Sequence, residues 1–274
     1  MSTILRRLRE PFYNFEPYFN RRNKEPSWQW KFLAAAGKYK ARIALGGNRI
    51  GKSIGGAYEC WLFITGKHPY KKTPAKGKMW ICATSFDKIQ NINLPKFEYF
   101  MPSSYKANSS YNKQEKIWWV NGEGREWKVQ LKSADARRRA FEGDDIDALW
   151  FDEEMPEDIY SECMMRLIDR KGVWWMTATP MLGTAWLKAK SEEEKVFTTF
   201  GASWDNPYLP MEEIEIAASN LTEEERLVRI EGNYIIFGGK PVFDVMSLTK
   251  YLSGLHDRDK HPLGIKGTLT EAAA

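Results

Sequence analysis

The residues with the clearest chemistry are Gly46-Gly47-Asn48-Arg49-Ile50-Gly51-Lys52-Ser53, which fit the pattern G-x-x-x-x-G-K-[ST] at every fixed position. Glycines in such a run let the backbone turn tightly and aim successive N–H groups at phosphate oxygens. Lys52 brings a point charge for the outer phosphates of a nucleotide, and Ser53 a hydroxyl suited to Mg²⁺. A loop of this kind needs a carboxylate at a strand end to hold the metal through water. Asp152, which closes the apolar run Ala148-Leu149-Trp150-Phe151, has that position. Glu153 beside it can polarise a water as general base, and such a second carboxylate points to hydrolysis, not to sensing alone. Thr177-Ala178-Thr179, before Pro180, offers small hydroxyls that can touch the nucleotide site on one side and a moving segment on the other.

The flanking sequence supplies elements to position these groups. Ala41-Arg42-Ile43-Ala44-Leu45 reads as a buried strand running into the loop, and residues 54–64 as the helix behind it, its N-terminus toward the phosphates. Residues 79–83 read as a second buried strand, followed by a helix capped by Ser85 and running toward Phe97. Residues 117–131 pattern as a β-hairpin around Asn121-Gly122-Glu123-Gly124. Its Trp118 and Trp119 suit either base stacking or hairpin packing. Strands are expected at 146–151, 173–176 and 196–200, a helix at 156–168, and a capping box at Thr222-Glu223-Glu224-Glu225 opening a helix to Ile230. Strands alternating with helices predict an α/β fold with a mostly parallel sheet covered on both faces. The interval between Lys52 and Asp152 leaves room for an intervening strand, the hairpin and their helices. ATPases with an extra strand between their two nucleotide motifs have this arrangement.

Composition narrows the class. With 43% hydrophobic residues and 12 Trp, the chain can bury a substantial core. Charge is uneven: residues 1–50 carry eleven Lys/Arg against three Asp/Glu, residues 66–80 five Lys and no acid, and residues 141–165 ten acids and no base. Basic surface suits a polyanion, nucleic acid foremost, although solvated loops account for it equally. Cys60, Cys82 and Cys163 lack C-x-x-C spacing, which fits a reducing compartment and no zinc or disulfide framework. His256 and His261 read as part of a solvated linker, with a metal cluster as the alternative. The N-terminus lacks an apolar signal core and no run reaches membrane-spanning length, so a soluble intracellular protein is expected. Residues 1–40, with Phe12, Tyr13, Phe15, Tyr18 and Phe19, read as a basic, aromatic segment that packs on a larger body.

In this order the motifs resemble the ATPase half of the large terminase subunit of tailed bacteriophages, over roughly residues 25 to 245. The likeness rests on residues 46–53 with an arginine inside the loop, on residues 149–154 and on Thr177 to Pro180. It rests further on Trp204-Asp205-Asn206-Pro207-Tyr208-Leu209 with Arg229-Ile230-Glu231-Gly232 beyond. The resemblance implies a P-loop NTPase of the RecA-like, additional-strand (ASCE) type that binds ATP with Mg²⁺ and drives double-stranded DNA into a procapsid. Gln29 looks like the adenine-reading glutamine, with a surface glutamine as the alternative. Lys52 and Ser53 would meet phosphates and Mg²⁺, Asp152 the metal, Glu153 the attacking water, and Thr177, Ala178 and Thr179 would couple hydrolysis to motion. Arg49 can reach the γ-phosphate from inside the loop. In this family an arginine before the acidic strand can enter a neighbouring subunit's site. Arg137, Arg138 and Arg139 lie in that stretch, and Arg139 is the choice here, with a solvated basic turn as the alternative.

The implied organisation is an N-terminal segment (1–40), a P-loop core (41–205), a lid (206–240) and a linker or tail (241–274). The implied partners are duplex DNA, a portal protein, a small terminase subunit and further copies of the chain, in the host cytoplasm. Family members usually continue into a nuclease domain; Asp244, Asp257 and Asp259 lack the strands such a site needs, so no DNA cleavage is expected of this chain. Two rivals remain at this level. A superfamily-two-like helicase requires a second RecA-like domain, and a nucleotide-gated DNA-binding scaffold requires no turnover.

Overall fold

The computed structural model describes residues 9–182 and 184–234. The tail at 241–274, the last residues of the expected lid, His256, His261 and the aspartates at 244, 257 and 259 lie outside the described residues.

Eight strands form one sheet: β1 (Ala41–Gly46), β2 (Lys76–Ala83), β3 (Ser110–Asn112), β4 (Ile117–Gly122), β5 (Arg125–Ser133), β6 (Ala148–Asp152), β7 (Val173–Ala178) and β8 (Val196–Gly201). Their spatial order is β3-β4-β5-β2-β6-β7-β1-β8. From β5 to β8 every pairing is parallel, and only β3–β4 and β4–β5 are antiparallel. The hairpin turns on Glu123 and Gly124, both with positive φ. Trp118 stacks on Tyr111 at 5.1 Å and packs on the core, while Trp119 faces outward.

Near-continuous apolar runs in the parallel strands follow from burial on both faces. Alternate residues sort cleanly between two clusters. Ala44, Ile81, Trp150 and Trp175 join one, whereas Ile43, Trp80, Phe151 and Met176 join the other. The first face is covered by α1 (Trp28–Ala35), α2 (Lys52–Thr65) and α3 (Leu94–Tyr99), through Phe32, Trp61 and Phe97. The second is covered by α4 (Glu157–Arg166) and α5 (Ala185–Ser191), through Ile159, Cys163 and Leu187. Two further helices, α6 (Met211–Ser219) and α7 (Glu223–Arg229), enclose a small apolar cluster of Ile214, Ala218 and Ile230. Among the described residues no helix is long and apolar enough to cross a membrane.

One expectation about topology changes in its detail. The strand separating β1 from β6 in space is β7, which follows both in the chain. The strands encoded between Lys52 and Asp152, namely β2 and the hairpin, lie beyond β6 instead. The extra strand therefore carries Thr177 and Ala178 directly between the loop strand and the acidic strand. This placement brings all three motifs to the carboxyl edge of adjacent strands, where open α/β sheets bind ligands.

A buried ionic cluster ties β1 to α2. Arg42 donates to Glu59 and, at 3.0 Å, to the Phe32 carbonyl; His68 Nε2 lies 3.2 Å from both Glu59 oxygens. The Arg42 guanidinium also lies over the Phe32 ring, 4.7 Å from its centroid. The loop is thus strung between two elements tied together by the start of β1 and the middle of α2.

Candidate active site

Every carbonyl of the loop from Gly46 to Gly51 faces a protein donor. Lys52 Nζ donates to Gly46 O at 2.9 Å and Gly47 O at 2.6 Å. Ser203 Oγ donates to Asn48 O at 2.7 Å, and Asn206 Nδ2 to Arg49 O at 2.7 Å. Trp28 Nε1 and Tyr18 OH share Ile50 O at 3.0 and 3.3 Å, and Gln29 Nε2 reaches Gly51 O at 3.5 Å. Arg49 and Gly51 adopt positive φ, 63° and 83°, which lets the chain reverse into α2. With the carbonyls committed, the first-turn N–H groups of α2, which have no acceptor within the helix, form the loop's free donor set for an anion.

The acidic side is equally ordered. Asp152 is buried, its Oδ1 accepting from Thr177 Oγ1 at 2.9 Å and its Oδ2 from Asn93 Nδ2 at 2.8 Å. Thr177 Oγ1 in turn accepts from Trp150 Nε1 at 2.8 Å, so β6 and β7 hold the carboxylate through one chain of bonds. Glu153 keeps sheet pairing through its N–H to Thr177 O at 2.8 Å, then turns at φ 87°. Its Oε2 accepts the Thr179 N–H at 2.9 Å. Thr179 Oγ1 lies 3.3 Å from Asn48 Oδ1, inside the loop. Thr177 and Thr179 therefore bond the Asp152 and Glu153 carboxylates respectively, with Ala178 between them at the end of β7.

Electrostatics bind the two halves into one site. Burial pushes the Lys52 ammonium down to about 8, against the pull of Glu153 and Asp152, with Lys88 and Lys96 adding repulsion. Burial raises the Glu153 carboxyl above its ordinary value; Lys52 opposes this and Asp152 adds to it. Lys96 is also lowered by burial while interacting with Asp152, Arg49 and Glu153. Lys88 and Lys96 act on these groups through their charge, although nothing in their local sequence marks them. They lie on the helical stretch after β2, and only tertiary packing turns that stretch toward Asp152. Asn93, between them, was missed for the same reason.

The expected residues are brought together unevenly. Gln29 is buried against the loop at the start of α1, and Arg49 is exposed with its carbonyl held by the Asn206 side chain. Arg139 stands apart, exposed in a cleft of about 850 Å³ whose lining, including Arg137, Arg138 and Pro156, shares no residue with the loop. Arg138 there pairs with Glu162 at 3.0 Å. Among the described residues no three His, Cys, Asp or Glu converge into a metal cage. A hard cation satisfied by one carboxylate, one hydroxyl and substrate phosphates fits the chemistry of this set; Asp152 and Ser53 are the residues that would supply the first two.

The motifs at 204–209 and 229–232 meet on the loop. Trp204 Nε1 donates to Glu231 Oε1 at 2.5 Å, and the Ser203 N–H donates to Ile230 O at 2.7 Å. Arg229 O accepts from the Asn48 N–H. Gly232, at φ 72°, lies so close that a Cβ on it would stand 2.5 Å from Gly46 Cα and 2.6 Å from Gly47 N. Only glycine fits there.

Comparison with known proteins agrees with this geometry. The profile of the family described as terminase large subunit, T4-like virus type, N-terminal part, matches residues 43–204. The terminase large subunit of Salmonella phage P22 is 27% identical in an alignment covering 80% of this chain and 50% of that protein. The chain thus spans half the length of the curated relative it matches. Among solved structures, the large terminase ATPase domain of Thermus phage P74-26 is similar at TM-score 0.60 and 18% identity, covering 76% of this chain and 92% of that one. The large terminase of another thermophilic bacteriophage, in complex with ADP, is similar at TM-score 0.64 and 16% identity, covering 79% and 54%. At these identities the structural likeness speaks to the fold alone, a mostly parallel α/β sheet with β7 between β1 and β6.

Proposed function

The chain belongs to the N-terminal family of terminase large subunits, and from that premise we propose that it is the ATP-hydrolysing motor of a viral DNA-packaging terminase. The observation that carries the reading is the cluster in which Lys52, Asp152 and Glu153 interact while the Thr179 N–H holds the Glu153 carboxylate. A phosphate-binding lysine, a metal carboxylate and a base with raised proton affinity are the parts that water attack on a phosphoanhydride needs.

In this reading the N–H groups opening α2 and the Lys52 ammonium bind the β- and γ-phosphates, and Gln29 reads the adenine. Ser53 and, through water, Asp152 would hold Mg²⁺, which when bound neutralises phosphate charge. Glu153 takes a proton from the attacking water at its carboxylate. Arg49 stabilises charge on the terminal phosphate within the subunit, and Arg139 does so from a neighbouring copy. The relay from Glu153 through Thr179 to Asn48 ends on Arg229 O and Ser203 Oγ. A change at the γ-phosphate is thereby passed to the lid at 206–234, which packs on residues 46 and 47.

Double-stranded DNA is the substrate of motion, gripped through its phosphates and therefore in a salt-dependent, sequence-tolerant manner. A portal protein, a small terminase subunit and further copies of the chain complete the machine in the host cytoplasm. The test is ATP turnover with Mg²⁺, with and without linear duplex DNA, across protein concentrations. Turnover that rises with DNA and with concentration is expected. A chain that binds ATP yet never turns it over is a scaffold, and the motor reading fails.

A further inference from the structure

The helical stretch after β2 changes its winding where it passes the site. Between Phe86–Lys88 and α3, residues Ile89–Asn93 form a π turn, closed by the Leu94 N–H on the Ile89 carbonyl. A π turn adds one residue to the helical repeat and is frequently found at functional sites. Here the turn ends on Asn93, whose side chain is fully buried. Nδ2 donates to Asp152 Oδ2 at 2.8 Å. The orientation of the amide follows from chemistry: an ionised carboxylate only accepts, so the nitrogen must face it and the oxygen must point away. That oxygen, Asn93 Oδ1, is buried and has no hydrogen-bond partner among the described residues. The amide is therefore held by its nitrogen alone, and its one hydrogen bond among the described residues goes to Asp152.

We propose that Asn93 is a positioning residue for the divalent cation of this site. Its Nδ2 and the Thr177 hydroxyl fix the Asp152 carboxylate from two sides and leave each oxygen one lone pair for the water shell of the cation. The π turn is the device that aims the amide nitrogen of Asn93 at Asp152. The inference rests on the nucleotide-site reading above and adds to it a residue that neither the loop pattern nor the acidic strand contains.

The test separates metal-dependent from metal-independent binding. ATPγS affinity is measured by calorimetry on the whole chain, once in saturating Mn²⁺ and once in EDTA, for wild type, Asn93→Ala and Asn93→Leu. Partners of this kind typically govern roughly 10–100-fold in metal affinity, so both variants should lose roughly 10–100-fold in Mn²⁺ while staying within about twofold of wild type in EDTA. Asn93→Leu fills a comparable volume and opens no cavity, so it reads the loss of the bond to Asp152 even where the alanine variant fails to fold. Unchanged affinity in Mn²⁺, or an equal fall in both conditions, overturns the proposal, the latter by showing a packing role. A wild-type chain that binds no ATPγS in either condition overturns the nucleotide-site reading itself, a separate outcome.

Discussion

Glu153 occupies a backbone conformation that glutamate avoids, φ 87°, at a cost of about 1–3 kcal/mol. The strain is imposed from both sides, by its N–H on Thr177 O and by the Thr179 N–H on its carboxylate. Glu153→Gly should therefore give a melting temperature no lower than wild type, while ATP turnover falls by roughly 10²–10⁴-fold. A clear drop in melting temperature would show that the turn is not strained. Lys52→Ala removes a charge and its bonds to Gly46 O and Gly47 O. Charge-assisted bonds contribute about 1.5–3 kcal/mol, so equilibrium binding should show nucleotide affinity down by about 100-fold. Unchanged affinity would remove the loop from the site. Lys52, Ser53, Asp152 and Glu153 were legible in the sequence because local rules place them: a glycine loop before a helix and a carboxylate after a buried strand. Asn93, Lys88 and Lys96 were not, because their roles exist only once a helical stretch is wound past β6.

The elements tell a similar story. β1, β2, β6, β7 and β8 were readable from continuous apolar runs, and α7 from the Thr222–Glu225 capping box, whose two bonds are both present. α6 was missed because it buries only Ile214 and Ala218, too few positions to print a helical period. Trp28-Gln29-Trp30-Lys31-Phe32-Leu33 reads as a helix turn before the first strand, and α1 extends it to eight residues, capped by Ser27 and fixed by the Trp28 bond to the loop. The position of β7 between β1 and β6 has no local signal, since strand order is a property of the whole sheet. The contact between the lid and the loop belongs to this scale. Gly232→Ala meets both a left-handed backbone and a clash with Gly46 and Gly47. It should cost about 1–3 kcal/mol in urea unfolding and lower turnover more than nucleotide affinity. Wild-type turnover in this variant would mean that the seating of Gly232 is not part of the coupling.

Across the whole molecule, the Arg42–Glu59–His68 cluster fixes the start of β1 to the middle of α2, away from the nucleotide loop. Burial alone would raise the Glu59 carboxyl, but the Arg42 and His68 charges and hydrogen bonds outweigh it and hold it at about 2, below its ordinary 4.5. A depressed carboxyl stabilises the fold fully above its unfolded value and loses that contribution as pH falls toward the folded one. Stability should thus decline between about pH 4.5 and pH 2 in wild type, read as urea midpoints against pH. Glu59→Gln should flatten that part of the profile and destabilise the fold at neutral pH by about 3–5 kcal/mol, because Arg42 is left buried and uncompensated. A profile of the same slope in the variant would assign the acid sensitivity to other carboxylates. Assembly is the other molecular property at issue. Arg139→Ala should lower turnover only at concentrations where subunits associate; an equal deficit at every dilution would place the arginine in its own subunit's service.

The central claim is that one chain binds ATP through the loop and hydrolyses it through Glu153. It is tested most directly by measuring ATP affinity and steady-state turnover, with Mg²⁺ and duplex DNA, for wild type and Glu153→Gln. The account predicts equal affinity within about a factor of three and turnover lower by roughly 10²–10⁴-fold in the variant. Turnover in Glu153→Gln equal to wild type would contradict it, and the base would have to be sought elsewhere along the edge of the sheet.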